Sequence, residues 1–224
     1  MAGVVGEMLT ELFCEYSEEA AHNRAALRAL AVSFAQGLQM TNILKDVWED
    51  RSRGACWLPQ EIFTPHRVDL ARLTPTPRNP GFDAGMNELI GVAHAHLRNA
   101  LDYTLLIPGR ETGIRRFCLW AVGLAVLTLR KIHKNPGFTS GSQVKITRSS
   151  VTMTRILTDL SISNDWMLRR LFGIAARGLP LAPAAETRRT PVPRPEARGV
   201  DAHAELGAQE SEPVRRRSYG GSGS

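Results

Sequence analysis

Asp46, Glu49 and Asp50, with Asn42 one turn earlier, stand in a run, LQMTNILKDVWEDRSRGACWLPQEIF (38–63), that otherwise patterns as a helix with a wide apolar face. At 100° per residue, Gln39, Asn42, Asp46, Glu49, Asp50 and Arg53 fall within an arc of about 100°. Met40, Ile43, Leu44, Val47 and Trp48 cover much of the rest, so the polar stripe is expected to line a cavity. Three carboxylates on neighbouring turns repel one another, and each is costly to desolvate unless a cation offsets it. Asn42, Asp46 and Asp50 repeat at i, i+4, i+8 as hard oxygen donors, which suits Mg²⁺, an ion that keeps waters and bridges carboxylates to phosphate. Lys45, Arg51 and Arg53 could neutralise further phosphate charge. The same residues also read as a solvated acidic face paired with those bases, and spacing alone leaves both readings open.

Few other side chains offer chemistry. His94 and His96 are two apart, so they point to different helix faces and read as ordinary helix histidines. His133, near the end of an apolar helix, is expected to meet that helix's terminal carbonyls. Lys145 and Arg148 could reach an anion from a loop or stand solvated. Cys14, Cys56 and Cys118 are odd in number and widely spaced, which indicates neither a disulfide framework nor a zinc site and fits a reducing cytoplasm. No Ser-His-Asp arrangement is evident, and no G-x-G-x-x-G follows a strand.

The elements that must position the stripe read as helices. The chain has 224 residues, 43% hydrophobic, enough for one folded unit with an appendage. Apolar periodicity predicts helices over Val4–Ser17, Glu18–Arg51 (with a break near Gly37), Phe82–Ile107, Gly113–His133 and Arg148–Arg177, separated by Pro- and Gly-rich breakers. The run Phe117–Leu129 is too short to span a bilayer and reads as the buried central helix. The N-terminus lacks the basic region of a signal peptide. Residues 1–177 are assigned to the folded domain, and 178–224 to a disordered Pro/Ala/Arg-rich tail ending in a Gly/Ser linker. Lys and Arg outnumber Asp and Glu by 28 to 22. The run Arg215–Arg217 lacks interleaved aromatics, so a nucleic-acid partner is not expected.

Gln39 to Phe63 resembles the second aspartate-rich signature of the squalene and phytoene synthase family, Q-x-T-N-I-x-[RK]-D-x-x-E-D followed by basic and Gly residues and [FYW]-x-P-x-[ED]. The chain carries Gln39, Thr41, Asn42, Ile43, Lys45, Asp46, Glu49 and Asp50, then Gly54, Trp57, Pro59 and Glu61. AGVVG (2–6) resembles the V-A-G-x-V-G helix that precedes this motif, and VKITRSSV (144–151) a late V-K-I-[ST]-R segment. The resemblance implies an all-α terpenoid-synthase-type bundle and Mg²⁺-dependent head-to-head condensation of two prenyl diphosphates, farnesyl first and geranylgeranyl as the alternative, toward presqualene diphosphate and squalene or toward phytoene. By it, Asn42, Asp46 and Asp50 are metal ligands, Glu49 supports the cluster and shares the catalytic role of Asp46 and Asp50, and Gln39 and Lys45 contact substrate or its diphosphate; Arg51, Arg53, Lys145 and Arg148 are counted with them as candidate substrate-binding residues on their charge. Lys45 stands where many relatives have Arg and lacks its bidentate fork. Trp48, Trp57, Phe117 and Trp120 read as core, with a prenyl-chain tunnel as the other use of such aromatics. The segment W-L-P-Q and the run FCLWAVGLAVLTLRKI lean toward bacterial squalene-pathway members. Use of NADPH is left open.

The family's first aspartate-rich motif, D-x-x-x-D, is expected well over a hundred residues before the second, and here the second begins at Asp46. The Tyr of Y-C-x-x-V-A-G is likewise missing. The chain therefore reads as the C-terminal part of such an enzyme, its bundle incomplete on the N-terminal side and its metal cage depending on a complementary chain or a homo-oligomer. The rival reading is a noncatalytic helical binding partner. An apolar hydrocarbon product implies a cytoplasmic protein peripheral to the inner membrane face, with the basic tail against anionic lipid.

Overall fold

The computed structural model describes residues 2–76 and 79–182. Nine α-helices and three short 3₁₀ turns make up the regular structure of these residues, and no strand occurs among them. The helices are α1 (Ala2–Tyr16), α2 (Glu18–His22), α3 (Arg24–Lys45), α4 (Val47–Ser52), α5 (Gln60–Phe63), α6 (Pro80–Leu106), α7 (Thr112–Lys134), α8 (Arg148–Ser161) and α9 (Asp165–Ala175). The Gly/Ser end and the run Arg215–Arg217 lie outside the described residues.

The central helix is α6. Asn79 caps it by accepting from Phe82 N–H at 3.1 Å, and Pro80 occupies its first turn, where a missing N–H costs nothing. It ends before Ile107-Pro108, since a residue preceding proline avoids helical backbone. Small residues at Gly91, Ala93, Ala95 and Ala100 allow neighbours to approach from several sides. The expectation that Phe117–Leu129 forms the buried centre is thereby corrected. In α7, Cys118, Val122, Val126 and Leu129 are buried, but Phe117 is 52% exposed. Helix α7 is long and apolar enough to cross a bilayer by length and composition, a test that a core helix also passes. Burial raises the Cys118 thiol to about 12, leaving it an inert apolar filler.

Helix α3 packs along α6 and α1 packs along α3. At Gly37 a Cβ would lie 3.0 Å from Leu97 Cδ2 and 3.1 Å from Leu97 N, so glycine permits the close crossing. It does not break the helix, contrary to expectation. The breaks fall instead at Asn23, whose side chain donates to Leu106 O at 2.8 Å, and at Asp46 (φ −97°, ψ 14°). The predicted helix 148–177 is also divided, because Asn164 caps α9 by accepting from Met167 N–H at 3.0 Å. Helix α1 is fixed by Tyr103, fully buried on α6, whose hydroxyl meets Thr10 Oγ at 2.9 Å while Thr10 donates to Gly6 O.

Arg115 joins the far ends of four helices. It is 2% exposed. Its guanidinium donates to Ile107 O at 2.7 Å, Leu105 O at 3.1 Å, Ile162 O at 2.8 Å and Asp165 Oδ1 at 2.8 Å. The carbonyls sit at the negative ends of α6 and α8. The buried histidines of α6 each bond through Nδ1, while His96 Nε2 is buried without a partner among the described residues. His94 Nδ1 donates to Pro180 O, and Ala182 N–H donates to Gly91 O, laying residues 179–182 along α6. His96 Nδ1 meets Ser33 Oγ, which also accepts from Asn99. His133 pairs with Asn87 Oδ1 at 2.8 Å rather than with its own helix end, a correction that reflects the reach of a side chain across the α6–α7 seam.

Two predictions concern stability. Arg115→Leu should cost about 3 kcal/mol or more in denaturant unfolding, because several buried carbonyls lose their donor. Arg115→Lys should still lose about 2 kcal/mol, since one ammonium cannot span the fork. Burial lowers the pKa of both His94 and His96, so the unfolded chain takes up protons first as pH falls through its value of about 6.5. Their contribution is full above that pH and is lost below it. The melting temperature should fall from pH 7.5 to 5.5, and His94→Asn/His96→Asn should show a shallower fall.

Candidate functional site

The acidic stripe begins on the last two turns of α3 and continues through α4. Asp46 ends one helix and starts the next, yet Asp46 N–H bonds Asn42 O and Asp50 N–H bonds Asp46 O, both at 2.9 Å, so the register carries through the bend. Helix α4 closes in a Schellman motif: Gly54, in left-handed backbone (φ +79°), donates to Arg51 O, and Ala55 N–H donates to Asp50 O. This close holds Asp50 on the stripe's side. Trp48 and Leu44, behind it, are buried against the Phe82 face of α6.

A cleft of about 390 Å³ lies between α3, α7 and the segment entering α8. Asn42, Lys45 and Lys145 line it. Leu38, Ala121, Leu124 and Ile146 form its apolar wall. Lys45 Nζ lies 3.0 Å from Asp46 Oδ1, which places a cation and a carboxylate together at the mouth. Of the polar stripe only Asn42 lines this cleft: Gln39 is exposed on α3, and Asp46, Glu49, Asp50 and Arg53 lie outside the lining.

Glu49 has a different task from Asp46 and Asp50. Its Oε1 accepts from Gly141 N–H at 2.8 Å and from Ser140 Oγ at 3.3 Å. Trp48 Nε1 donates to Phe138 O at 2.7 Å from the same helix. Together they pin the loop after α7 onto α4 and set Lys145 opposite Lys45. A Cβ at Gly141 would lie 3.1 Å from Lys45 O and 3.2 Å from Glu49 Oε1, so a side chain there would force the loop or α3 to give by a few tenths of an ångström. The other Glu49 oxygen, Oε2, is buried without a hydrogen-bond partner among the described residues.

Other expected residues go elsewhere. Arg51 donates to Leu70 O and Ala71 O and so anchors the 3₁₀ turn Leu70–Arg72, which removes its guanidinium from the stripe. Arg53 and Arg148 are exposed and do not line the cleft. Trp48 is core, Trp57 and Phe117 are about half exposed, and Trp120 lies under the Arg155 guanidinium, 4.9 Å from its ring centre. None of these four lines the cleft. Sequence reasoning missed the Ser140–Gly141 clamp and the α7 wall. The available signals were the S-G-S breaker at 140–142 and the small pair Ala121 and Ala125, one turn apart.

For Mg²⁺ the donor chemistry fits on one side only. Asn42, Asp46 and Asp50 are hard oxygen donors on successive turns, and Glu49 Oε2 is an orphaned buried oxygen behind them. No group of three His, Cys, Asp or Glu converges on one point among the described residues. Such a set suits an ion held by one or two carboxylates and completed by phosphate oxygens, not a closed protein cage.

Comparison with known proteins agrees with this helix and its neighbours. The squalene/phytoene synthase family matches residues 1–150. The chain is 33% identical over 150 residues to squalene synthase ERG9 of Gibberella zeae, covering 66% of this chain and 31% of that protein. It is 32% identical over 163 residues to squalene synthase ERG9 of Candida albicans, covering 70% and 35%. It is 35% identical over 101 residues to a phytoene synthase of Thermus thermophilus, covering 45% and 32%. The matches thus span about a third of the length of these curated relatives. With its all-α isoprenoid-synthase fold, the chain belongs to the squalene/phytoene synthase family.

Proposed function

We propose that this chain supplies one wall of a Mg²⁺-dependent site for head-to-head condensation of two prenyl diphosphates, toward presqualene diphosphate and squalene or toward phytoene. The observation that carries this reading is the cleft in which Asn42, Lys45 and Lys145 meet an apolar wall, with the Asp46 carboxylate 3.0 Å from Lys45 Nζ. That combination matches an amphiphile with an anionic head and a long apolar tail. The names of the relatives point to the same chemistry. They include both product types, so substrate chain length is not chosen between farnesyl and geranylgeranyl.

Lys45 and Lys145 face the diphosphate oxygens from two elements and hold the head at the cleft mouth. Asn42 and Asp46 orient it along α3. Leu38, Leu124 and Ile146 bury the first part of the tail and exclude water from the bond to be broken. Mg²⁺ bound at Asp46 and Asp50 would draw off the charge that develops on the leaving diphosphate. Glu49 acts as a positioning residue through the loop that carries Lys145. The remaining ligands come from a complementary chain or segment in this reading, and peripheral association with a membrane gives the apolar product somewhere to go.

A second reading, a noncatalytic helical binding partner of the same descent, is favoured by the absence of three converging metal-ligating side chains among the described residues. The two separate in one experiment. The purified chain is incubated with Mg²⁺ and labelled farnesyl diphosphate, and diphosphate release and hydrocarbon product are followed. The condensing reading expects both, reduced at least 100-fold by Asp46→Asn/Asp50→Asn. Mg²⁺-dependent substrate binding without turnover in a folded sample supports the binding partner instead.

Two further outcomes are expected from the site. Lys145→Ala should weaken Mg²⁺-dependent binding of farnesyl diphosphate by about tenfold, near 1.4 kcal/mol, measured by titration calorimetry. Glu49→Ala should weaken it similarly and speed tryptic cleavage at Lys145, because the loop loses its clamp. Glu49→Gln, which keeps the acceptor for Gly141 N–H, should leave the cleavage rate near that of the parent chain.

A further inference from the structure

Helix α8 packs with the wrong face inward for a helix whose only neighbours are protein and water. Ser150, Thr154, Thr158 and Ser161 turn toward the bundle, with Thr158 and Ser161 buried and Thr154 against α7 at Gly123, where a Cβ would lie 2.8 Å from Thr154 Cγ2. The large apolar side chains point away: Met153, Ile156, Leu157 and Leu160 are 55%, 49%, 38% and 79% exposed. Their spacing, i, i+3, i+4, i+7, makes one continuous stripe about 120° round from the bundle-facing side. Helix α9 continues the surface with Trp166, 66% exposed, and Ile174, 61% exposed, and Arg170 lies over the Trp166 ring at 5.7 Å. Between α7, α8 and α9 the surface opens into an apolar groove of about 500 Å³ bordered by Met153, Leu157 and Ile174.

Charge decides what covers this face. In segment 145–177, Lys145 lines the cleft, Arg155 lies over Trp120 of α7 and Arg169 pairs with Asp102 at 2.6 Å, which leaves Arg148, Arg170 and Arg177 against only Asp159 and Asp165. Both acids are engaged by α7, Asp159 with Arg116 at 2.7 Å and Asp165 with Arg115 at 2.8 Å. A second copy docked face to face would bring like charges together. An anionic surface with an apolar interior satisfies both the stripe and the arginines, and an arginine stacked on an interfacial tryptophan fits the boundary between headgroup and acyl chain.

We infer that the exposed face of α8 and α9 is a docking surface for an anionic lipid bilayer, with the Ile156–Leu160 stripe inserted below the headgroups and the arginines among the phosphates. The inference names the surface by which the peripheral association in the proposed function would occur, but it stands apart from catalysis, because no substrate enters it.

The test is vesicle co-sedimentation of the full chain, without Mg²⁺ or prenyl diphosphate, on phosphatidylcholine vesicles and on vesicles containing about a third phosphatidylglycerol. Binding is expected on the anionic vesicles and at least tenfold weaker on the neutral ones. Ile156→Ser/Leu160→Ser should reduce anionic-vesicle binding at least tenfold while leaving the helical circular dichroism unchanged, since both side chains already face solvent. Arg170→Glu should reduce it by a smaller factor that grows as salt is lowered. Unchanged binding by the serine variant would overturn the inference and assign any membrane affinity to the basic residues beyond 182. Equal binding to neutral vesicles would overturn the anionic requirement. A concentration-dependent dimer abolished by the serine substitutions would assign the face to a second copy instead. Loss of prenyl diphosphate turnover with vesicle binding intact would strike the functional reading and leave this one standing.

Discussion

The bond between the Glu49 carboxylate and the backbone N–H of Gly141 is the contact on which the rest of the site depends. It joins two segments more than ninety residues apart in sequence, a helix and the start of the 3₁₀ turn Gly141–Val144. Trp48 makes the neighbouring bond to Phe138 O from the next position of α4. With those two donors and acceptors satisfied, the loop cannot swing away, and Lys145 stays across the cleft from Lys45. A buried carboxylate that merely added charge to the stripe would raise the cost of holding Asp46 and Asp50 nearby. By accepting hydrogen bonds Glu49 recovers part of its lost hydration, while Asp46 is offset by Lys45.

The scaffold behind that contact is helix α6, whose small side chains let its neighbours come close. Helix α6 carries small residues where its neighbours cross, and dispersion between closely spaced backbones and side chains holds those neighbours in place. The polar groups inside are few, and most are committed: Tyr103 to Thr10, His94 to Pro180, Arg115 to the carbonyls that end α6 and α8. Arg115 matters most among these because each carbonyl it serves belongs to a helix terminus that would otherwise be left without a donor.

The two faces of α7 illustrate how one helix serves different surroundings. On one side Ala121 and Ala125 leave room for the cleft, and on the other Gly123 lets α8 approach by its hydroxyl-bearing face. The consequence reaches to the outer surface, since a helix seated by Ser and Thr must present its Met, Ile and Leu outward. Packing at one glycine therefore decides the character of a face on the far side of the next helix.

What the sequence determined was local. The 3.6-residue repeat placed Gln39, Asn42, Asp46, Glu49 and Asp50 on one side of a helix before any neighbour was known, because that geometry depends only on residues a few positions apart. The motif around Asp46, the all-α class and the main helical segments followed in the same way. Tertiary structure alone decided the partners. It gave Arg51 to the carbonyls of Leu70 and Ala71, made α6 rather than α7 the centre, turned His133 to Asn87, and used Glu49 as a clamp. Each of these rests on a contact between segments distant in sequence, and such contacts are selected by close packing and by the need of buried carbonyls and N–H groups for partners, neither of which leaves a period in the chain.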